Sequence, residues 1–248
     1  MSRGLSFGPA ADLYDSVRPS YPPEALTWAI GSDTQTVLDI GAGTGILTRV
    51  VRALGHAVLP VEPDEGMRAK LVRTTPGVQP LAGRAEAIPV PDGQVDAVVA
   101  GQAYHWFDPE PTHREVARVL RDGGVFAPIW NVRDHDVEWV RQLTAISEAL
   151  ADQDGGVFNG EVEHDFGPEF GPLERARFRH EVSMTADRLV LLVASRSYYL
   201  TAAPAQRARI EAAVRELAAT LPETFTLPYV TVVYRATRRA RATRCARR

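Results

Sequence analysis

The chain has 248 residues, of which 45% are hydrophobic, 24% charged and 8% aromatic. These ordinary globular values exclude a disordered, collagen-like or disulfide-scaffold protein. The net charge of −3 hides an asymmetry, because residues 235–248 carry seven arginines and no acid while the rest holds 21 bases against 31 acids.

The length allows one large domain or at most two, long enough to bury about three quarters of the unfolded surface. Cys245 is the single cysteine, so an intrachain disulfide and a cysteine-based zinc site are excluded. The longest purely apolar run, Leu189–Ala194, is too short to span a bilayer, and Met1–Leu5 lacks the apolar stretch of a signal peptide. A soluble cytoplasmic protein with no membrane partner is expected.

Apolar periodicity alternates between short strands and helices. Thr36–Ile40 is a β-rich run, and Ile46–Leu54 reads as a helix. Ala57–Val61 follows as a strand and Asp64–Arg73 as a helix. Val78–Leu81 and Val95–Ala100 read as a third and fourth strand. Glu110–Arg121 places Val116, Val119 and Leu120 at helical spacing, stopped by Asp122-Gly123-Gly124, and Val125–Trp130 is the next strand. The pattern predicts an α/β protein, a doubly wound and mostly parallel sheet covered on both faces.

After Asn131 the rhythm breaks. Val137, Val140, Leu143, Ile146 and Leu150 mark an amphipathic helix, followed by an irregular Gly- and Phe-rich stretch. Residues 132–175 therefore read as a lid insertion. Phe178–Met184 alternates as a strand, and Ala186–Leu200 and Pro204–Leu221 read as helices. Thr226–Tyr234 is a last strand, with Pro228 suiting an edge or strand-entry position. The remainder, 235–248, reads as a basic, flexible tail rather than a nucleic-acid arm.

The sharpest local signal is Asp39-Ile40-Gly41-Ala42-Gly43-Thr44-Gly45, a glycine-rich turn between a strand and a helix. Glycines permit positive φ and close approach of a ligand to the backbone. Glu62 ends the next strand, where a carboxylate can take both hydroxyls of a ribose. The spacing departs from the dinucleotide pattern G-x-G-x-x-G. Asp39 would repel a pyrophosphate and favour a ligand carrying an ammonium group. Glycines, a ribose-reading acid and a cation-favouring acid point to S-adenosylmethionine over NAD.

With these motifs the chain resembles the class I S-adenosylmethionine-dependent methyltransferases, specifically a methyltransferase type 11 domain similar to the trans-aconitate methyltransferases. The resemblance implies a Rossmann-like sheet of seven strands, with the last strand antiparallel and inserted near the edge. It implies one methyltransferase domain over 1–234: an N-terminal cap (1–30), a cofactor-binding core (31–131), the lid (132–175) and a C-terminal substrate region (176–234). Gly41, Ala42 and Gly43 would pass close to the methionine part of the cofactor, and Asp39 would hold its amino group. Glu62 would bind the ribose, Met67 would pack on the adenine, and Ala85 and Glu86 would lie near the purine edge. Tyr14 and Arg18 of the cap would meet the methionine carboxylate. Gln102, after the fourth strand, would lie near the reactive methyl.

His105 is the residue best placed by sequence to act as a base for a phenol, enol or alcohol acceptor, or else it is structural beside Trp106. Trp106, Trp130, Phe158, Arg196 and Tyr198 are the expected substrate walls, with Arg196 suited to a carboxylate. No recognised metal spacing joins His135, His164 and Asp165, so no metal is expected. The expected partner is a small-molecule methyl acceptor, with an RNA methyltransferase using the basic tail, or a non-catalytic relative, as the rivals.

Overall fold

Near-continuous apolar strands need cover on both faces, and this sheet has it. The structure, a computed structural model, describes residues 11–150, 160–162 and 164–240. Strands β1 (Thr36–Ile40), β2 (Ala57–Val61), β3 (Val95–Gly101), β4 (Leu120–Arg133), β5 (Glu174–Met184) and β6 (Phe225–Thr237) form one sheet in the order β2-β1-β3-β4-β6-β5. The first four pair in parallel, and β6 runs antiparallel between β4 and β5. Alternate residues feed opposite faces. Leu38, Val98, Phe126 and Trp130 pack in one cluster, and Val37, Val99, Ala127 and Ile129 in another.

Among the described residues the sheet has six strands, not seven. Of Val78–Leu81 only Leu81 joins the edge: its N–H donates to Pro60 O (2.8 Å), and Glu62 N–H donates back to Leu81 O (3.0 Å). The next rung would need an N–H on residue 60 to donate to Gln79 O, and Pro60 has none, so pairing stops at a single bridge.

Helices α1 (Ala11–Val17) and α2 (Pro23–Ile30) precede the sheet, and α3 (Ile46–Ala53), α4 (Glu65–Thr74) and α5 (Pro109–Val119) connect its parallel strands. Later come α6 (Glu138–Leu150), α7 (Ala186–Ala194), α8 (Ser197–Leu200) and α9 (Pro204–Ala218). The helix expected over Ala186–Leu200 is thus broken at Ser195-Arg196, where Ser195 Oγ donates to Leu192 O. No described helix is long and apolar enough to cross a membrane.

One boundary moves. Within 132–175, Val140 and Leu143 of α6 pack with Leu189, Val193 and Val214, and Phe166 and Phe170 are buried against Phe126. The tail boundary at 234 falls inside β6. Arg235 pairs with Glu174 and lies 4.2 Å from the Trp28 ring centroid. Arg238 is buried, donating to Leu120 O and Asp122. Residues 241–248, with Cys245, lie outside the described residues, as do the first ten residues of the cap and Phe158. Pro228 sits in an inner strand, just past the last β4 pair, Arg133 with Tyr229.

Candidate active site

Strand order reverses direction at β1, and in such sheets ligands bind beyond the carboxyl ends of the strands. There the glycine turn is tied to β2: Gly41 N–H and Ala42 N–H both donate to Val61 O (2.8 and 3.1 Å). Gly41 and Gly43 have φ of +66° and +56°. A Cβ on Gly41 would lie 2.7 Å from Ala103 Cβ, whereas above Gly43 there is open space. Only glycine suits both positions.

Two carboxylates flank this turn. Asp39 is fully buried; Thr48 Oγ1 donates to its Oδ2 (2.5 Å), and its Oδ1 has no partner among the described residues. Burial, and then the nearby Glu62 charge, push its carboxyl up to about 7. Glu62 accepts from Gly43 N–H at Oε2 and from Asp64 N–H at Oε1, both at 2.9 Å. Burial pushes it up too, against those two donors. Asp64 caps α4 by accepting from Met67 N–H (2.9 Å), which sets the buried Met67 one turn from Glu62. Ala85 is buried, and Glu86 accepts from Asp108 N–H (3.1 Å). Gly83 carries this loop close to β2, since a Cβ there would meet Pro89 at 2.5 Å and Val61 at 3.0 Å.

At the end of β3, Gln102 is the one non-glycine with positive φ (57°) among the described residues. Such a conformation costs on the order of 1 kcal/mol and persists only where the surroundings impose it. Its N–H donates to Ile129 O and its Nε2 to Asn131 O, both at 2.8 Å. Asn131 Nδ2 donates to Ser20 O (3.1 Å), tying the chain after α1 to β4. Arg18 stacks over the Tyr14 ring (4.6 Å) and donates from Nε and Nη2 to Ser195 Oγ and O (both 2.9 Å).

His105 follows on a 3-10 turn, Tyr104–Trp106. Its Nδ1 accepts from Trp130 Nε1 (3.2 Å), and its ring lies 4.7 Å from that of Trp106. Neutral imidazole with an accepting Nδ1 carries its proton on Nε2, which makes Nε2 a donor. Surrounding protein, and then the charge of Arg196, push this histidine down to about 4. The geometry therefore works against the base role. Trp106 is exposed, as a wall residue should be, but Trp130 is 1% exposed and packs edge-on against Tyr104 and Tyr234. Trp130 is a core residue that orients His105, not a wall.

Arg196 and Tyr198 are half-buried, and Tyr198 Oη donates to Ser147 Oγ on α6 (2.9 Å). Beside them sequence reasoning missed Arg133, at the end of β4 and only 6% exposed.

Comparison with known proteins gives the family. The family model described as a methyltransferase domain matches residues 38–127. An uncharacterized methyltransferase of Mycobacterium tuberculosis is 42% identical over 239 residues, 94% of this chain and 96% of the relative. One from Schizosaccharomyces pombe is 31% identical over 84% of this chain and 85% of its own length. A solved structure from Anaeromyxobacter dehalogenans, described as a type II methyltransferase, superposes with a TM-score of 0.65 at 26% identity, covering 89% of this chain and 97% of that one. With the glycine turn, its two carboxylates and a relative of this identity over nearly the whole length, the chain belongs to the class I S-adenosylmethionine-dependent methyltransferases.

Proposed function

We propose that the protein transfers the methyl group of S-adenosylmethionine to a small-molecule acceptor. The observation that carries this reading is Asp39, a buried carboxylate with one unpartnered oxygen beneath the glycine turn. Such a group wants a cation or a donor, and a nucleotide pyrophosphate offers neither. Open space above Gly43 and the two oxygens of Glu62 beside it suit the methionine and ribose parts.

When bound, the donor supplies a sulfonium methyl whose sulfur leaves as a neutral thioether. Asp39 then faces the ammonium end, Glu62 the ribose hydroxyls, Met67 and Ala85 the adenine, and Glu86 the purine edge. Tyr14 and Arg18 shield the methionine end, and Gln102, braced by Ile129 and Asn131, limits movement near the methyl. Alignment of this kind can supply roughly 7–11 kcal/mol of the barrier. His105 donates a hydrogen bond from Nε2 and walls the pocket with Trp106. The RNA reading loses support because Arg235 and Arg238 of the basic tail are engaged within the fold.

Calorimetry with S-adenosylmethionine and S-adenosylhomocysteine tests this. Both should bind, and Glu62→Ala should weaken each by roughly 1–3 kcal/mol, the cost of an unpaired ribose. Binding of NADH with no response to either adenosyl compound would overturn the proposal.

A further inference from the structure

Near the turn carrying His105 lies a second group of charges, all of one sign: the buried Arg133 and the half-buried Arg18 and Arg196. Arg133 is 6% exposed, and its Nε and Nη1 have no hydrogen-bond partner among the described residues. The buried Nε of Arg196 is likewise unpartnered, as is the hydroxyl of Tyr229, which pairs with Arg133 across β4 and β6. Arg18 is held one residue from Arg196 by its two bonds to Ser195. Among the described residues, no ion pair places an Asp or Glu on any of these three arginines; the neighbouring Asp134 pairs with Arg179 instead. The charge of Arg196 is felt at Arg18, Arg133 and His105, which puts the group within one electrostatic neighbourhood.

A buried guanidinium without an anion is strongly unfavourable, and a protein keeps one only where something else compensates. Guanidinium matches a carboxylate bidentately. We propose that Arg133 and Arg196 form an anion subsite that grips a carboxylate of the methyl acceptor. That carboxylate is a handle, not the methylated atom. Oxygens whose lone pairs are committed to two guanidinium groups are poor nucleophiles, so methylation falls on another atom of the same molecule. The inference rests on the methyltransferase reading for the identity of the acceptor, but the subsite can be tested separately.

The test titrates succinate, benzoate and inorganic phosphate into the free protein and into the protein saturated with S-adenosylhomocysteine. Thermal melting and calorimetry are the readouts, for wild type, Arg133→Met and Arg196→Gln. A carboxylate should raise the wild-type melting temperature with and without the adenosyl compound, and bind at least about tenfold more weakly to each variant. Arg133→Met should itself melt higher by about 2–4 °C or more, because it removes an uncompensated buried charge. A purely structural arginine would show the opposite sign. Affinity for S-adenosylhomocysteine should stay unchanged in Arg133→Met, and in a parallel incubation with S-adenosylmethionine no carboxylate probe should be consumed as a methyl acceptor.

Four results would overturn the subsite. They are no stabilisation by either carboxylate, tighter binding of phosphate than of carboxylates, esterification of a probe, or loss of S-adenosylhomocysteine affinity in Arg133→Met. The last would assign the arginines to the cofactor's own carboxylate. Failure of the adenosyl compounds to bind wild type would instead sink the methyltransferase reading, while the free-protein titration still decides the subsite.

Discussion

The two halves of the site carry ionisable groups of opposite kind. Around the ends of β1 and β2, Asp39 and Glu62 are buried acids. Around the end of β4 and the break between α7 and α8, Arg133, Arg196 and Arg18 are bases. Neither set neutralises the other. Asp39 leans on Thr48 alone, and Arg133 leaves two donors unpartnered. Charges that could have paired across a core but did not are reserved for ligands of opposite sign. The acid half suits a cation, and the basic half suits an anion.

The largest expected effect separates packing from recognition within the acceptor half. Trp130→Ala should cost about 3–5 kcal/mol of stability, as a fully buried indole does, whereas Trp106→Ala, at a residue that is 42% exposed, should cost no more than about half of that. Denaturant unfolding of the two variants checks this. Similar losses in both would erase the distinction between core and wall.

A smaller effect probes the acid half. Burial holds Asp39 near 7, so its neutral form is the one the free fold prefers. That contribution to stability is present below the ordinary carboxylate range and is lost as pH rises through about 7. Binding has the opposite sign, because a cationic ligand needs the ionised form. Affinity for S-adenosylmethionine should climb about tenfold per pH unit below 7 and then level off. Asp39→Asn should flatten that curve and cost roughly 1.5–3 kcal/mol of binding at pH 8. Calorimetry from pH 5.5 to 8.5 reads both, and an affinity independent of pH in wild type would remove Asp39 from the cation site.

The smallest effect concerns His105, which lies between the halves. With Nδ1 accepting from Trp130 and the ring held neutral by its surroundings, His105→Gln should lower turnover by less than about tenfold. Turnover should show no step near pH 6.5. A fall of about 10²–10⁴ that depends on pH, with adenosylmethionine affinity intact, would restore the general-base role and point to a hydroxyl or enol acceptor.

The acid half was legible in the sequence because its geometry is local. Asp39, the glycines and the helix after them are covalent neighbours on one strand-turn-helix unit, and Glu62 ends the very next strand. Backbone sterics alone demand glycine where φ is positive, so the spelling of the turn nearly determines its shape. Alternating apolar runs likewise determined the parallel core and its covering helices. The extra strand is read from hydrophobicity alone, which does not register that Pro60 on its β2 partner lacks the N–H for the next rung. Tertiary structure decided the rest. Trp106 and Trp130 are the same residue type, yet only packing made one a wall and the other core. Arg18 and Arg196 stand out in the sequence one at a time, and Arg133 does not stand out at all. They meet because β4 ends where the loop after α1 and the break after α7 converge, and burial and charge repulsion depend on neighbours that no local pattern contains.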